Sequence, residues 1–362
     1  MSRLNVGNLF NENEDGAPVV SGISTFSSPH YFVPPSGTKA QRPSNPGEGM
    51  IRFNTDSGHL EYYTGELWVD VITKESAPLG GRGVLAGGYE GPSSTRSDRI
   101  EYITIQSTGN AIDFGDLSVV REIPAGCASR TRGIIAGGYS GSELSSIDYI
   151  EIATLSDALD FGNLTATRRN RDGTGDSTRG VMGGGWSPTS AIDIVTYAST
   201  GSAAQEGNLS ASRFEVGALS SSTRGVFAGG QPSGGDTIEY VTIQSLGTAQ
   251  DFGNLTASTT NCAGTSSPVR GIFARNGQTD VYNYITIAST GDALDFGDST
   301  HTRNYRQITS DSIRATLMGG APSITNVIEF ITIATTGNAQ DFGDLAIGRA
   351  AGGAFSNGHG GL

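Results

Sequence analysis

The tripeptide Asp-Phe-Gly occurs five times, beginning at Asp113, Asp160, Asp251, Asp295 and Asp341. A carboxylate in that setting can hold a divalent cation when a glycine-rich nucleotide loop, a paired lysine and an HRD element stand with it. None of the three accompanies it, and a catalytic carboxylate is not supplied five times at regular spacing. The tripeptide therefore reads as architecture, with Phe filling space between layers, Gly permitting a turn and Asp accepting local hydrogen bonds. Recurrent Gly-Gly pairs lack the GxxxxGK[ST] context of a phosphate loop and read as backbone geometry. His30, His59, His301 and His359 are scattered, and Cys127 and Cys262 stand 135 positions apart without a CxxC. No metal cluster, cofactor site, disulfide framework or nucleophile–base set is legible in that pattern. Asn163-Leu164-Thr165, Asn208-Leu209-Ser210 and Asn254-Leu255-Thr256 match the glycosylation pattern, but their recurrence at a strand exit favours Asn turn chemistry.

Charge narrows the partners. The 362 residues carry a net charge of −13, a field that repels nucleic acid and anionic membrane. No window approaches the roughly 20 apolar residues of a membrane helix, so neither nucleic-acid binding nor membrane insertion is expected.

These residues belong to a repeat. Arg82-Gly83-Val84-Leu85-Ala86-Gly87-Gly88 returns from Arg132, Arg179, Arg224, Arg270 and Arg314, at spacings of 50, 47, 45, 46 and 44 residues. A second block, Ile100-Glu101-Tyr102-Ile103-Thr104-Ile105, returns from Ile147, Ile192, Ile238, Tyr282 and Ile328, and its β-branched and aromatic content predicts a strand. The Asp-Phe-Gly block follows, except that the third repeat has Gln205-Glu206-Gly207. Ile100 and Tyr102 fall on one face of the predicted strand, Ile103 and Ile105 on the other, so each sheet needs a layer on both sides. Radial stacking of small sheets supplies it, and the expected fold is an all-β, six-bladed β-propeller over residues 76–362. The Gly-Gly pairs are expected at the end of an inner strand beside the axis. Residues 345–360 repeat the segment that the first copy lacks, and the tail is expected to close the propeller by supplying that copy's missing outermost strand.

On that fold Arg82, Arg132, Arg179, Arg224, Arg270 and Arg314 would stand at one level, bonded to carbonyls or to the recurrent aspartates. The third repeat, with Gln205 in place of the Asp, is the natural test of such pairing. Loops after Gly-Gly vary most and should cluster on one rim. Tyr89, Tyr139 and Trp186 take matched positions there, where they would stack on a sugar, dock a protein or pack the loops. A propeller glycosidase with carboxylates drawn from separate repeats stands as the enzymatic alternative.

The order of elements resembles the kelch repeat, with Phe114, Phe161, Phe252, Phe296 and Phe342 in the place of its Trp. Ile238-Glu239-Tyr240-Val241-Thr242-Ile243 with Asp251-Phe252-Gly253-Asn254-Leu255-Thr256 resembles repeat proteins of marine tailed bacteriophages. Residues 42–68, with Gly49-Met50-Ile51-Arg52-Phe53-Asn54 and Leu60-Glu61-Tyr62-Tyr63, resemble a short module of phage tail and fibre proteins. The resemblance implies a non-enzymatic virion structural protein, tail- or fibre-associated, with a host receptor- or glycan-binding adhesin and a capsid decoration protein as alternatives. Residues 1–45 are expected to form an extended attachment arm and 46–75 a small β-hairpin or meander. Residues 1–75 would bind other virion proteins, the propeller would face a host glycan or protein, and several copies, possible as a homo-oligomer, would sit on each particle.

Overall fold

The second block is buried on both faces, as its pattern demands. Ile100 packs with Phe114, Leu117 and Ile150, whereas Ile103 and Ile105 pack with Met318, Ile328 and Phe342. The computed structural model describes residues 34–71, 81–91, 95–170, 172–232, 235–276 and 279–362. Among them the protein is all-β, with no α-helix and one short 3₁₀ turn at Lys39–Gln41. The chain divides into two units, Met1–Ser76 and Ala77–Leu362.

In the larger unit six antiparallel sheets share one strand order. The second sheet runs Ala125–Ala128, Arg132–Ala136, Ser146–Glu151, Leu159–Asn163. The third runs Asp172–Gly175, Arg179–Gly183, Thr189–Thr196, Ala204–Arg213, and gains Gly247–Thr248 in parallel on its far edge. The fourth runs Gly217–Ser220, Arg224–Ala228, Thr237–Thr242, Gln250–Asn254; the fifth Thr260–Ser266, Arg270–Asn276, Val281–Thr286, Leu294–Asp298. The sixth runs Gln307–Ser310, Arg314–Met318, Val327–Thr332, Gln340–Asp344. The first sheet draws on both ends of the unit: Arg82–Ala86, Arg99–Thr104 and Ile112–Asp116 take Gly353–Ser356 as their first strand, Gly353 opposite Ala86 and Ser356 opposite Gly83.

Two expectations are corrected here. The tail supplies the first strand of its sheet and not the outermost one, and Gly-Gly ends the second strand and not the first. The cause is side-chain size. First strands of successive sheets lie against one another, Gly353–Ser356 touching both Ala125–Ala128 and Gln307–Ser310. A Cβ on Gly126 would sit 2.5 Å from the Ala354 carbonyl oxygen, and one on Gly173 2.7 Å from that of Gly126. At that position five of the six first strands carry Gly or Ala, at Gly126, Gly173, Ala218, Gly264 and Ala354. Gly87, at φ +65°, serves a different need, because its Cβ would meet the Arg121 carbonyl oxygen at 2.6 Å.

Each of six apolar clusters fills the space between consecutive sheets, and the sixth sheet shares one with the first. In the Asp-Phe-Gly strand a bulge sets Glu101 opposite Asp113 and Ile100 opposite Gly115, which leaves Phe114 as the extra residue. Its ring meets Tyr102 edge-on at 6.0 Å, and the pair recurs as Tyr149–Phe161, Tyr240–Phe252, Tyr284–Phe296 and Phe330–Phe342. The outer edge is covered by the next sheet: Gly201 N–H donates to the Phe161 carbonyl, Gly291 to Phe252, Gly337 to Phe296, and Gly109 of the first sheet to Phe342 of the sixth.

The smaller unit is a meander of Ile51–Asn54, His59–Tyr63 and Trp68–Val71, with Ser36–Gly37 parallel to its first strand. Of the expected arm, residues 1–33 lie outside the described residues. Its last part folds onto the meander, where Arg42 ion-pairs with the buried Glu61.

The tail's place in the first sheet is testable. Phe355 is buried and packs with Val84, Ile135 and Ile150. Phe355→Ala should cost about 3–5 kcal/mol in denaturant unfolding, the figure for a core phenylalanine. A cost below about 1 kcal/mol would mean that the strand does not belong to the core.

Candidate functional site

The six repeat arginines do not pair with Asp113, Asp160, Asp251, Asp295 or Asp341, which are exposed on the fourth strands. Each guanidinium crosses to main-chain carbonyls at the end of the next sheet's third strand. Arg82 reaches Ile152, Arg132 Tyr197 at 2.7 Å, Arg179 Ile243 at 3.2 Å, Arg224 Ile287 at 2.8 Å and Arg270 Ile333 at 2.8 Å. Arg314 of the sixth sheet reaches Gln106 of the first at 3.1 Å. Arg179 behaves like the others although its repeat has Gln205, so the aspartate is not the partner. Five of the six also lie over an aromatic ring of their own sheet at 4.4 to 4.6 Å, as Arg132 does over Tyr149.

A second polar system was not anticipated. The residue after the opening position of the second block is buried in every repeat: Glu101, Asp148, Asp193, Glu239, Asn283 and Glu329. The preceding sheet's exit turn holds it. Ser118 N–H and Oγ donate to Asp148, Thr165 Oγ1 to Asp193, Ser210 N–H to Glu239, Thr256 N–H to Asn283, Thr300 N–H to Glu329 and Ala346 N–H to Glu101. This explains the recurring Asn-Leu-Thr/Ser, since its hydroxyl residue serves the buried acid. Arg121 then pairs with Asp148 at 3.1 Å, Arg213 with Glu239, and Arg349 with Glu101 at 2.8 Å, all three guanidiniums being fully buried. The fifth sheet has Asn283 instead of the acid and Thr259 at the arginine position. Both charges are exchanged together, as an ion pair buried without water requires.

Two residues after each such arginine position stands a residue in the left-handed region: Ile123 at φ +47°, Asn170 at +53°, Glu215 at +61°, Asn261 at +50°, Tyr305 at +54° and Ala351 at +58°. That conformation costs about 1–2 kcal/mol for a non-glycine residue. Main-chain bonds join five of the six in a collar, and Cys262, next to Asn261, adds the fifth bond: Ile123 N–H donates to Ala351 O, Asn170 to Ile123, Glu215 to Asn170, Ala351 to Tyr305 and Cys262 to Glu215. The backbone repeats while the side chains vary, with asparagine alone occurring twice.

The collar joins two cavities. A wide one of about 610 Å³ is lined by loop residues that include Tyr89, Glu122, Arg169, Trp186 and Pro322. A narrow one of about 110 Å³ is lined by first-strand residues that include Asp172, Cys262 and Gln307. Ile123, Asn170, Glu215, Tyr305 and Ala351 line both. Of the three rim aromatics, Tyr89 and Trp186 share the wide cavity, whereas Tyr139 is held between the guanidiniums of Arg96 at 4.8 Å and Arg169 at 4.6 Å. Arg169 also lies 5.0 Å from the Trp186 ring, and Phe214 meets that ring edge-on. Burial, together with a bond to Glu122, pushes the Tyr89 hydroxyl up to about 12. The Asp172 carboxyl is pushed up to about 7 by burial against the N–H groups of Ala218 and Gly173, which oppose the shift.

At the other end of the first strands, Ser356, Ser310, Ser266 and Ser220 donate their hydroxyls to the carbonyls of Ser310, Ser266, Ser220 and Gly175. Gly175 and Ala128 lack the hydroxyl. There His359 Nδ1 accepts from Gly361 N–H, so Nε2 carries the proton and donates to the Ala128 carbonyl at 2.8 Å. Among the described residues, no group of three or more His, Cys, Asp or Glu could hold a metal ion. No family model and no curated protein matches this chain.

Two measurements check this geometry. Asp148→Ala, which strands the buried Arg121, should cost about 3–5 kcal/mol, whereas Arg121→Thr with Asp148→Asn, copying Thr259 and Asn283, should recover more than half of it in a double-mutant cycle. Additive losses would remove the coupling. For Asp172 the folded pKa lies above the unfolded one, so the folded chain binds the extra proton. Its contribution to stability should fall as pH rises from about 4 to about 7 and stay level above that. Asp172→Asn should erase that slope in unfolding curves taken across the window; an unchanged slope would refute the assignment.

Proposed function

We propose that the larger unit is a closed, six-bladed, kelch-like β-propeller and that the protein is a non-enzymatic structural component of a bacteriophage virion, tail- or fibre-associated. The smaller unit attaches it to the particle and the propeller is displayed. Four interactions that recur from the sixth sheet back to the first support closure: the first-strand contacts, the arginine-to-carbonyl bonds, the exit-turn bonds to the buried acids, and the edge bonds of Gly109. The resemblance of residues 42–68 to a tail module supports the location.

Attachment rests on one observation: the smaller unit is inside out. Its covered face is polar, with Arg52 and Asn54 bonded to a fully buried Glu61 at 3.1 Å each and Trp68 beside Arg42 and Arg52. The opposite face aligns Ile51, Tyr62 and Val69 in one row and Phe53, Leu60 and Val71 in the next. Ile51, Phe53, Tyr62 and Val71 are exposed on it. Apolar rows left bare across three strands mark a surface that another protein covers.

The alternative reading, a receptor- or glycan-binding adhesin, is favoured by the wide cavity, where Tyr89 and Trp186 stand near Arg169. In the full chain, Ile51→Asp with Phe53→Asp should reduce incorporation into particles at least about tenfold, the effect of placing two charges in an apolar interface, with the thermal midpoint of the larger unit unchanged. Normal incorporation would reject attachment through this face.

A further inference from the structure

The narrow cavity holds polar groups that attachment and display leave without a task. Two residues beyond the collar, Ala125, Gly217, Ala263 and Gly353 are small, but the third sheet places Asp172 there and the sixth, three repeats away, places Gln307. Gln307 is only 5% exposed, and its Nε2 donates to the Tyr305 carbonyl, which fixes the amide and leaves Oε1 buried without a partner. Asn170 repeats the arrangement, with Nδ2 given to Glu215 at 3.2 Å and Oδ1 buried and unpartnered. Glu215 also accepts from Gln231, and Asp172 accepts from main-chain N–H groups, so among the described residues neither carboxylate has a cation against it.

Among the described residues, the cations nearby have other partners. Arg306 donates to Ser299 Oγ and the Arg275 carbonyl, Arg169 lies between Tyr139 and Trp186, and Arg96 bonds Glu122. Among the described residues, the well presents two unpartnered amide oxygens and two carboxylates with no cation against them, in a chain of net charge −13. Buried acceptors left unpaired are costly, and a donor-bearing ligand would recover that cost.

We propose that the axial well receives the cationic end of a slender side chain, a lysine or arginine of a protein partner, with its proton donors on Gln307 Oε1, Asn170 Oδ1 and the carboxylates of Glu215 and Asp172. The volume of the well selects the source. The smaller cavity, of about 110 Å³ and walled by Ile308, Val216 and small residues, suits an alkyl stem, whereas the larger, of about 610 Å³, has room for a sugar ring beside Tyr89 and Trp186. The inference rests on the reading of the collar face as the displayed surface.

The test titrates the full-length protein with the peptide acetyl-Gly-Gly-Lys-Gly-Gly-amide, the same peptide acetylated at Nζ, and glucosamine, at low salt by NMR. The lysine peptide should bind at least about tenfold more tightly than its acetylated form, the worth of one charge-assisted hydrogen bond. Gln307→Leu should lower its affinity by about the same factor, and the isosteric Asp172→Asn decides the matter if that variant does not fold. Equal binding of both peptides, binding of glucosamine with none of the lysine peptide, or an unchanged affinity in folded Asp172→Asn would overturn the proposal. Failed particle incorporation bears on the proposed function alone, because the titration needs no particle.

Discussion

A carboxylate or carboxamide buried in the third strand of every sheet and bonded by the exit turn of the sheet before it is the constraint from which the rest of the larger unit follows. Such a group is expensive to bury and tolerable only when its oxygens are fully used. Ser118, Thr165, Ser210, Thr256, Thr300 and Ala346 therefore have no freedom in where they stand. In the sheets where Arg121, Arg213 and Arg349 complete the bond, the linker is pinned again a few residues on. The left-handed residue of the collar follows two residues after the arginine position in all six copies, with or without the arginine bond.

The unit separates repetition from variation by the kind of atom it uses. Most bonds between sheets end on main-chain oxygens, which every residue carries: the arginines on the third-strand ends, the turn amides on the fourth-strand edges, the serine hydroxyls on one another's carbonyls. Side chains are then free to differ wherever they are not in the six apolar clusters. They differ most at the collar and in the loops around the wide cavity, where Ile, Asn, Glu, Asn, Tyr and Ala occupy one backbone position in six copies. The smaller unit inverts the usual arrangement, spending its polar groups inside and leaving Ile51, Phe53 and Tyr62 outside.

Much of this was legible in the chain. Period, strand type and two-sided burial of the second block all followed from residue alternation, whereas the matched positions of Tyr89, Tyr139 and Trp186 did not tell which of them share a cavity. For the arginines, carbonyls and the recurrent aspartates were both open as partners, because a main-chain carbonyl leaves no mark in a sequence, and the structure pairs them with carbonyls. The buried acids did leave a signal, the joint exchange of Asp and Arg for Asn283 and Thr259, but a glutamate between Ile and Tyr in a strand reads as solvent-facing until the neighbouring sheet is known. The tail was assigned to the wrong edge because pairing order depends on which strands are small enough to crowd together, and Gly126, Gly173 and Ala354 reveal that only against one another.

The linear sequence by itself determined the all-β class, the number of copies and which apolar residues of the second block lie inside, since these depend on side-chain type and spacing along one strand. Tertiary structure alone decided which oxygen each arginine meets, where the tail inserts, and that Asn170, Glu215, Tyr305 and Gln307 gather around one well. Those are distances between segments tens to hundreds of residues apart, and they come into being only when packed sheets bring the segments within hydrogen-bonding reach.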